Sequence, residues 1–160
     1  MEIKAVKLET EFIIRLCVID FSRSAADLAG QLGVPKTVVW ERKDGRQASF
    51  PDNHRLPASI WEMEAKSRGS LLLGEHVFRF LEAVGPLRDK LKLLQGEYEV
   101  AVRCHLNDYG KGYVIYCDHK IISRLAEINA SLEIVIHKGE DEAETPHKNS
   151  LDLGFIPEPD

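Results

Sequence analysis

The stretch Lys7-Leu8-Glu9-Thr10-Glu11-Phe12-Ile13-Ile14-Arg15-Leu16-Cys17-Val18-Ile19 places Leu8, Thr10, Phe12, Ile14, Leu16 and Val18 at every second position, with Glu9, Glu11 and Arg15 between them. Side chains on a strand alternate between the two faces of a sheet, so this period of two predicts a strand with one apolar and one polar face. The pattern recurs downstream. Trp61, Met63 and Ala65 alternate with Glu62, Glu64 and Lys66, and Tyr98, Val100, Val102, Cys104 and Leu106 alternate with Glu99, Ala101, Arg103 and His105. Shorter strands are expected at Thr37 to Glu41, Tyr113 to Cys117, and Leu132 to Ile136, where β-branched and aromatic residues cluster between turn residues.

Between these runs the period changes. Ser24-Ala25-Ala26-Asp27 is a cap followed by an acid, Leu28 and Leu32 recur four apart, and Gly33-Val34-Pro35 ends a short first helix. Leu73, Val77, Phe80, Val84, Leu87, Leu91 and Leu94 form one apolar stripe at helical spacing, interrupted at Gly85-Pro86, where proline removes a backbone donor and breaks or kinks the helix. Asp118 caps a third helix carrying Ile121, Ile122, Leu125 and Ile128. The order is β-α-β-β-α-β-β-α-β. Strands polar on one face predict an α+β two-layer sandwich, a mostly antiparallel or mixed sheet with helices on one face, because a doubly wound parallel sheet would show near-continuous apolar runs.

A length of 160 residues with 44% hydrophobic and 29% charged residues fits one globular domain. We place it at residues 1–138. Residues 139–160 hold seven acids against one base, Lys148, and read as an acidic, flexible tail. The remaining 19 acids and 20 bases leave the body near neutral, which argues against nucleic-acid or membrane partners. No run is long and apolar enough to span a bilayer, and Met1-Glu2-Ile3-Lys4 lacks the pattern of a secretion signal, so a cytoplasmic location is expected. Cys17, Cys104 and Cys117 are an odd set in apolar stretches and are expected as reduced, buried thiols.

No catalytic or cofactor motif stands out. The six histidines have no ligand spacing, and Cys117-Asp118-His119 is better explained by Asp118 as a helix cap, so neither a metal nor a cofactor is expected. Cys104 and His105 are neighbours on a strand and point to opposite faces, which separates thiol from base. Gly110-Lys111-Gly112 lacks the spacing of a phosphate loop. Glu62 and Glu64 share a face roughly 7 Å apart; such carboxylates suit acid-base work, but with Lys66 they read first as a solvated sheet surface. Arg42, Lys43 and Arg46 around Asp44-Gly45 are a basic turn opening a long irregular segment to Ala58, a natural place for specificity. In the tail, Leu151-Asp152-Leu153-Gly154-Phe155-Ile156 is an apolar island, either a strap that docks on the parent domain or a motif for a partner.

Leu32-Gly33-Val34-Pro35, Ser59-Ile60-Trp61-Glu62-Met63, the leucine-rich stretch through Leu87, Leu91 and Leu94, and the closing Leu125 to Ile136 segment together resemble the bacterial domain of unknown function 4279 family over residues 8 to 138. These are packing and turn residues; the resemblance implies the fold and carries no activity. The leading functional expectation is a bacterial protein that acts by binding another protein, in the manner of immunity or accessory modules, through Arg42, Lys43 and Arg46, Glu62 and Glu64, or Leu151 and Phe155. The alternative is a small enzyme or ligand-binding domain with a pocket on the polar sheet face, built from Glu62, Glu64, Arg103 and His105.

Overall fold

In a computed structural model of the chain, residues 11–19, 24–35, 39–42, 60–94, 98–108, 115–138 and 148–157 are described. The elements run β1 Glu11–Ile19, α1 Ala25–Leu32, β2 Val39–Arg42, β3 Ile60–Gly69, α2 Leu73–Val84, a 3-10 turn Gly85–Leu87, α3 Arg88–Lys92, β4 Glu99–Asp108, α4 His119–Glu127, β5 Ala130–Lys138 and β6 Leu151–Ile156. The protein is α+β with a mixed sheet, as the alternating strands predict. Strand order is β2-β3-β1-β4-β5. β1 lies antiparallel between β3 and β4, while β4 and β5 are parallel and joined through α4. A parallel pair needs such a crossover, because the chain must return to the starting end of the sheet.

The punctuation read from sequence is in place. Ser24 Oγ accepts from the Asp27 amide at 3.2 Å, Gly33 closes α1 at φ 70°, and Asp118 Oδ1 accepts from the Lys120 and Ile121 amides at 3.0 Å. Gly85-Pro86 divides the long apolar stripe into α2 and α3. The helices cover the apolar sheet face, where Phe12, Ile14, Leu16, Trp61, Ala65, Val102 and Cys104 are buried together with Val77, Phe80 and Leu91. Each large side chain so buried contributes about 1.5–3 kcal/mol relative to exposure. His76 of α2 belongs to this layer; its Nε2 donates to the Ser70 carbonyl at 2.6 Å, its Nδ1 accepts from Ser67 at 2.7 Å, and it packs on Phe12.

Two expectations need correction or completion. Of the strand expected at Tyr113 to Cys117, Tyr113 and Val114 lie outside the described residues, and Ile115, Tyr116 and Cys117 are not in a strand. These residues leave the sheet layer to reach α4, and their backbone runs against α2 so closely that a Cβ on Gly74 would collide with the Tyr116 carbonyl. The apolar island forms β6, parallel to β3 along Ala65 to Gly69, on the edge where β2 pairs with Ile60 to Met63. The approach requires glycine at position 69: its φ is 114°, and an added Cβ would overlap the Ile156 carbonyl. Ser70 then donates its amide to that carbonyl at 2.9 Å. Among the described residues, no helix is long and apolar enough to cross a membrane.

Candidate functional site

The strand register decides which polar residues meet on the sheet face away from the helices. Arg15 stands between Glu64 on β3 and Arg103 on β4, and Arg103 stands opposite Glu133 on β5. Four strands thus carry a row reading Glu64, Arg15, Arg103, Glu133. One row to one side, Cys17 faces Glu62, and the row on the other side holds His105 beside Ile13. The expectation of a solvated face does not hold, for Arg15, Glu62, Glu64, Arg103 and His105 are each at most 4% exposed. Charges tolerate such burial only when paired, and here the register supplies the pairs.

The pairing geometry is tight. Arg15 Nε and Nη2 both lie 2.8 Å from Glu64 Oε2. Arg103 Nε donates to Glu133 Oε2 at 2.7 Å, and its Nη1 is 3.8 Å from Glu62 Oε1. Burial works against the Arg103 charge, but the Glu133 and Glu62 carboxylates beside it outweigh that and hold the guanidinium more firmly protonated than usual. Burial, reinforced by Glu62, pushes the Cys17 thiol well above its ordinary value, and Sγ donates to Glu62 Oε1 at 3.7 Å. Cys17 is therefore a poor nucleophile, since the thiolate is the reactive form.

Arg15 Nη1 also lies 3.3 Å from His105 Nε2, and His105 Nδ1 lies 3.0 Å from His137 Nε2, with the two rings stacked. Arginine can only donate, so His105 Nε2 accepts and its Nδ1 carries the proton given to His137. That direction makes Nδ1 a donor rather than a metal ligand. Among the described residues, no three His, Cys, Asp or Glu side chains converge to hold a metal.

A second concavity lies on the helical side. An open groove of about 490 Å³ is lined by Leu72, Gly74, Glu75, Phe78, Arg79, Tyr116, Asp118, Lys120, Ile121 and Ile156. Three separate pieces of chain make its walls: the start of α2, the segment leading into α4, and the end of β6. Tyr116 is 67% exposed, with Ile115 beside it also exposed. The volume falls within the range of about 300–1,000 Å³ usual for ligand clefts.

The residues singled out from sequence are divided between these places. Glu62, Glu64, Arg103 and His105 come together in the buried lattice, whereas Cys104 lies across the sheet in the core. Arg42 ends β2 opposite Ile60; Lys43 and Arg46 lie outside the described residues. Leu151 packs against the core at the start of β6, and Phe155, opposite Arg68, is exposed. Sequence reasoning left out Arg15, Glu133 and His137, whose polar-face positions were readable but whose partners depend on register. It also left out Glu75, Arg79 and Tyr116, which carry no motif.

Fold and lattice define a class: a mixed-sheet α+β domain whose second face is a buried ion-pair array. The chain belongs to the family described as Domain of unknown function (DUF4279), which matches residues 10–139. No curated protein and no solved structure matches it.

Proposed function

We propose that this is a cytoplasmic bacterial protein that works by binding another protein, and that the groove between α2, α4 and β6 is where the partner docks. The observation that carries this reading is the apolar wall of Leu72, Phe78, Ile121 and Ile156, bordered by the exposed Tyr116 and Ile115. Exposed aromatic and aliphatic residues around a concave apolar surface are the usual anchors of a protein interface. The paired, buried lattice is a framework that fixes strand register, and the inert Cys17 thiol beside it suits a framework better than a reacting centre. The three cysteines, none in a disulfide, accord with a reducing compartment.

The test is affinity capture from the native lysate with the parent protein and Tyr116→Asp side by side. Tyr116 is exposed enough for the variant to keep its fold. A stoichiometric partner held by the parent and lost by the variant supports the reading. Equal capture by both, or a partner with neither, overturns it.

A further inference from the structure

We infer that the outer edge of β5, a surface apart from the groove, pairs with a second copy of this chain, strand to strand and antiparallel about a two-fold axis at Val135. β5 pairs with β4 over nine consecutive positions without a bulge. It closes its side of the sheet, and among the described residues no strand lies beyond it. The opposite side differs, for there β2 and β6 both pair along β3. A long edge strand offers its amides and carbonyls to another strand, and proteins ordinarily blunt such an edge with proline, bulges or lysine. β5 has no proline, no bulge, and no lysine before its last residue.

Apolar surface continues along this edge. Ile136 stands beside Leu106 on the helix-covered face, yet it is 52% exposed. Ile122, in the first turn of α4, is 57% exposed. Arg124 Nη2 of α4 lies 2.9 Å from Glu82 Oε1 of α2, and Ile122 stands two residues earlier, about 200° around the helix. Ile122 therefore projects from the flank turned away from α2. Because α2 packs over β1 and β3 while α4 packs over β5, that flank faces the open edge. The crossover from β4 to β5 runs α4 back against the strand direction, so its first turn lies at the Ile136 end of β5.

The sequence of β5 matches its own copy. A two-fold axis normal to the sheet keeps each side chain on its own face, so the pairing must centre on a residue. Centred on Val135, Ile134 of one copy meets Ile136 of the other, and Glu133 meets His137, each twice. Apolar and acid-base neighbours are the cross-strand pairs that stabilise a sheet. His137 Nε2 accepts from His105, which leaves the proton of its ring on Nδ1 as a donor for the facing carboxylate. Glu133 gives Oε2 to Arg103 and, as a carboxylate, can accept further bonds. Centring on Glu133 would set two carboxylates face to face, and centring on Ile134 would set Glu133 against Val135. Centring on Ile136 would leave Glu133 facing past the end of the strand.

The experiment measures sedimentation equilibrium of the full chain, of Ile136→Lys and of Ile122→Lys. It also treats Val135→Cys and Ser131→Cys with a short bismaleimide, the parent serving as control for Cys117. The inference expects a reversible dimer in the parent and at least tenfold weaker association in each lysine variant, with thermal unfolding of the separated chains unchanged. Covalent dimer should form from Val135→Cys and not from Ser131→Cys, whose two copies would stand eight residues, roughly 26 Å, apart. A parent that stays monomeric at every concentration would overturn the inference, as would a dimer indifferent to both lysine variants. A dimer that Ser131→Cys links as well as Val135→Cys, or that Val135→Cys fails to link, would overturn the register on which it rests. A dimer lost in Tyr116→Asp but kept in both lysine variants would seat the second copy in the groove and overturn the edge pairing.

Discussion

Replacing Arg15 by Met is the most direct test of the lattice as a framework. The guanidinium is 2% exposed and the Glu64 carboxyl it holds 1% exposed, with two nitrogen-to-oxygen contacts at 2.8 Å. Met fills most of the space but strips Glu64 of its guanidinium while keeping it out of water, and breaking a buried pair from one side costs about 3–5 kcal/mol. Against a total stability of about 5–15 kcal/mol for a typical domain, that is a large fraction. At a urea m-value of about 2 kcal/mol/M, the midpoint should fall by roughly 2 M. Fluorescence of the buried Trp61 provides the signal. The double variant Arg15→Met with Glu64→Met removes both charges and should recover much of the loss, because the pair is taken out together rather than broken from one side. Arg15→Lys keeps the charge but loses the planar fork, and should fall between parent and Met. A single variant within about 1 kcal/mol of the parent would refute the reasoning. So would a double variant as unstable as the sum of its singles.

Three other perturbations have defined outcomes. Burial lowers the His76 pKa, so the unfolded chain takes up a proton first as pH falls; the stability due to neutral His76 is complete above about 6.5 and declines below it, by up to ~1.4 kcal/mol per pH unit, until the folded pKa is reached. Urea midpoints between pH 7.5 and 5 should show that decline in the parent and a shallower one in His76→Phe. Gly69→Ala forces a Cβ onto the Ile156 carbonyl at a positive φ and should destabilise by about 2 kcal/mol or more, with faster amide exchange across β6 as the local signature. Burial raises the pKa of all three thiols, with Asp118 adding to the rise at Cys117, but only Cys117 is partly exposed, so a thiol reagent should modify Cys117 slowly in the native protein and the other two only after unfolding.

Where local chemistry decides the conformation, the chain could be read directly. Ser24, Gly33, Asp118 and Gly85-Pro86 each act on a turn or two of backbone, and each stands where its residue type predicts. Alternation likewise separated Cys104 from His105, since a period of two assigns faces without knowing any neighbour. It does not say whether a face is wet. Glu62 and Glu64 look like surface residues from their own strand, and only the antiparallel register that brings Arg15 and Cys17 opposite them makes burial tolerable. Ile115 to Cys117 failed as a strand for the converse reason: its composition favours extended backbone, but the crossover from β4 to α4 takes it away from any strand that could pair with it. The groove was illegible because its walls come from residues 72–79, 116–121 and 156, and nothing in any one segment announces the others.

The same geometry makes β6 more than an added edge. Its Leu153 carbonyl takes the Arg79 guanidinium, and its Ile156 side chain forms part of the groove wall. Removing residues 148–160 would therefore do two things at once: it would take away an apolar wall and return Arg79 to the face where Glu75 stands one turn earlier. The family match ends at residue 139, before β6 begins at Leu151. The charge lattice and its strands lie within the matched region, whereas β6, which gives Ile156 to the groove wall and the Leu153 carbonyl to Arg79, lies outside it. The proposed docking groove is thus completed by a segment that follows the family match, while the ion-pair face lies wholly inside it.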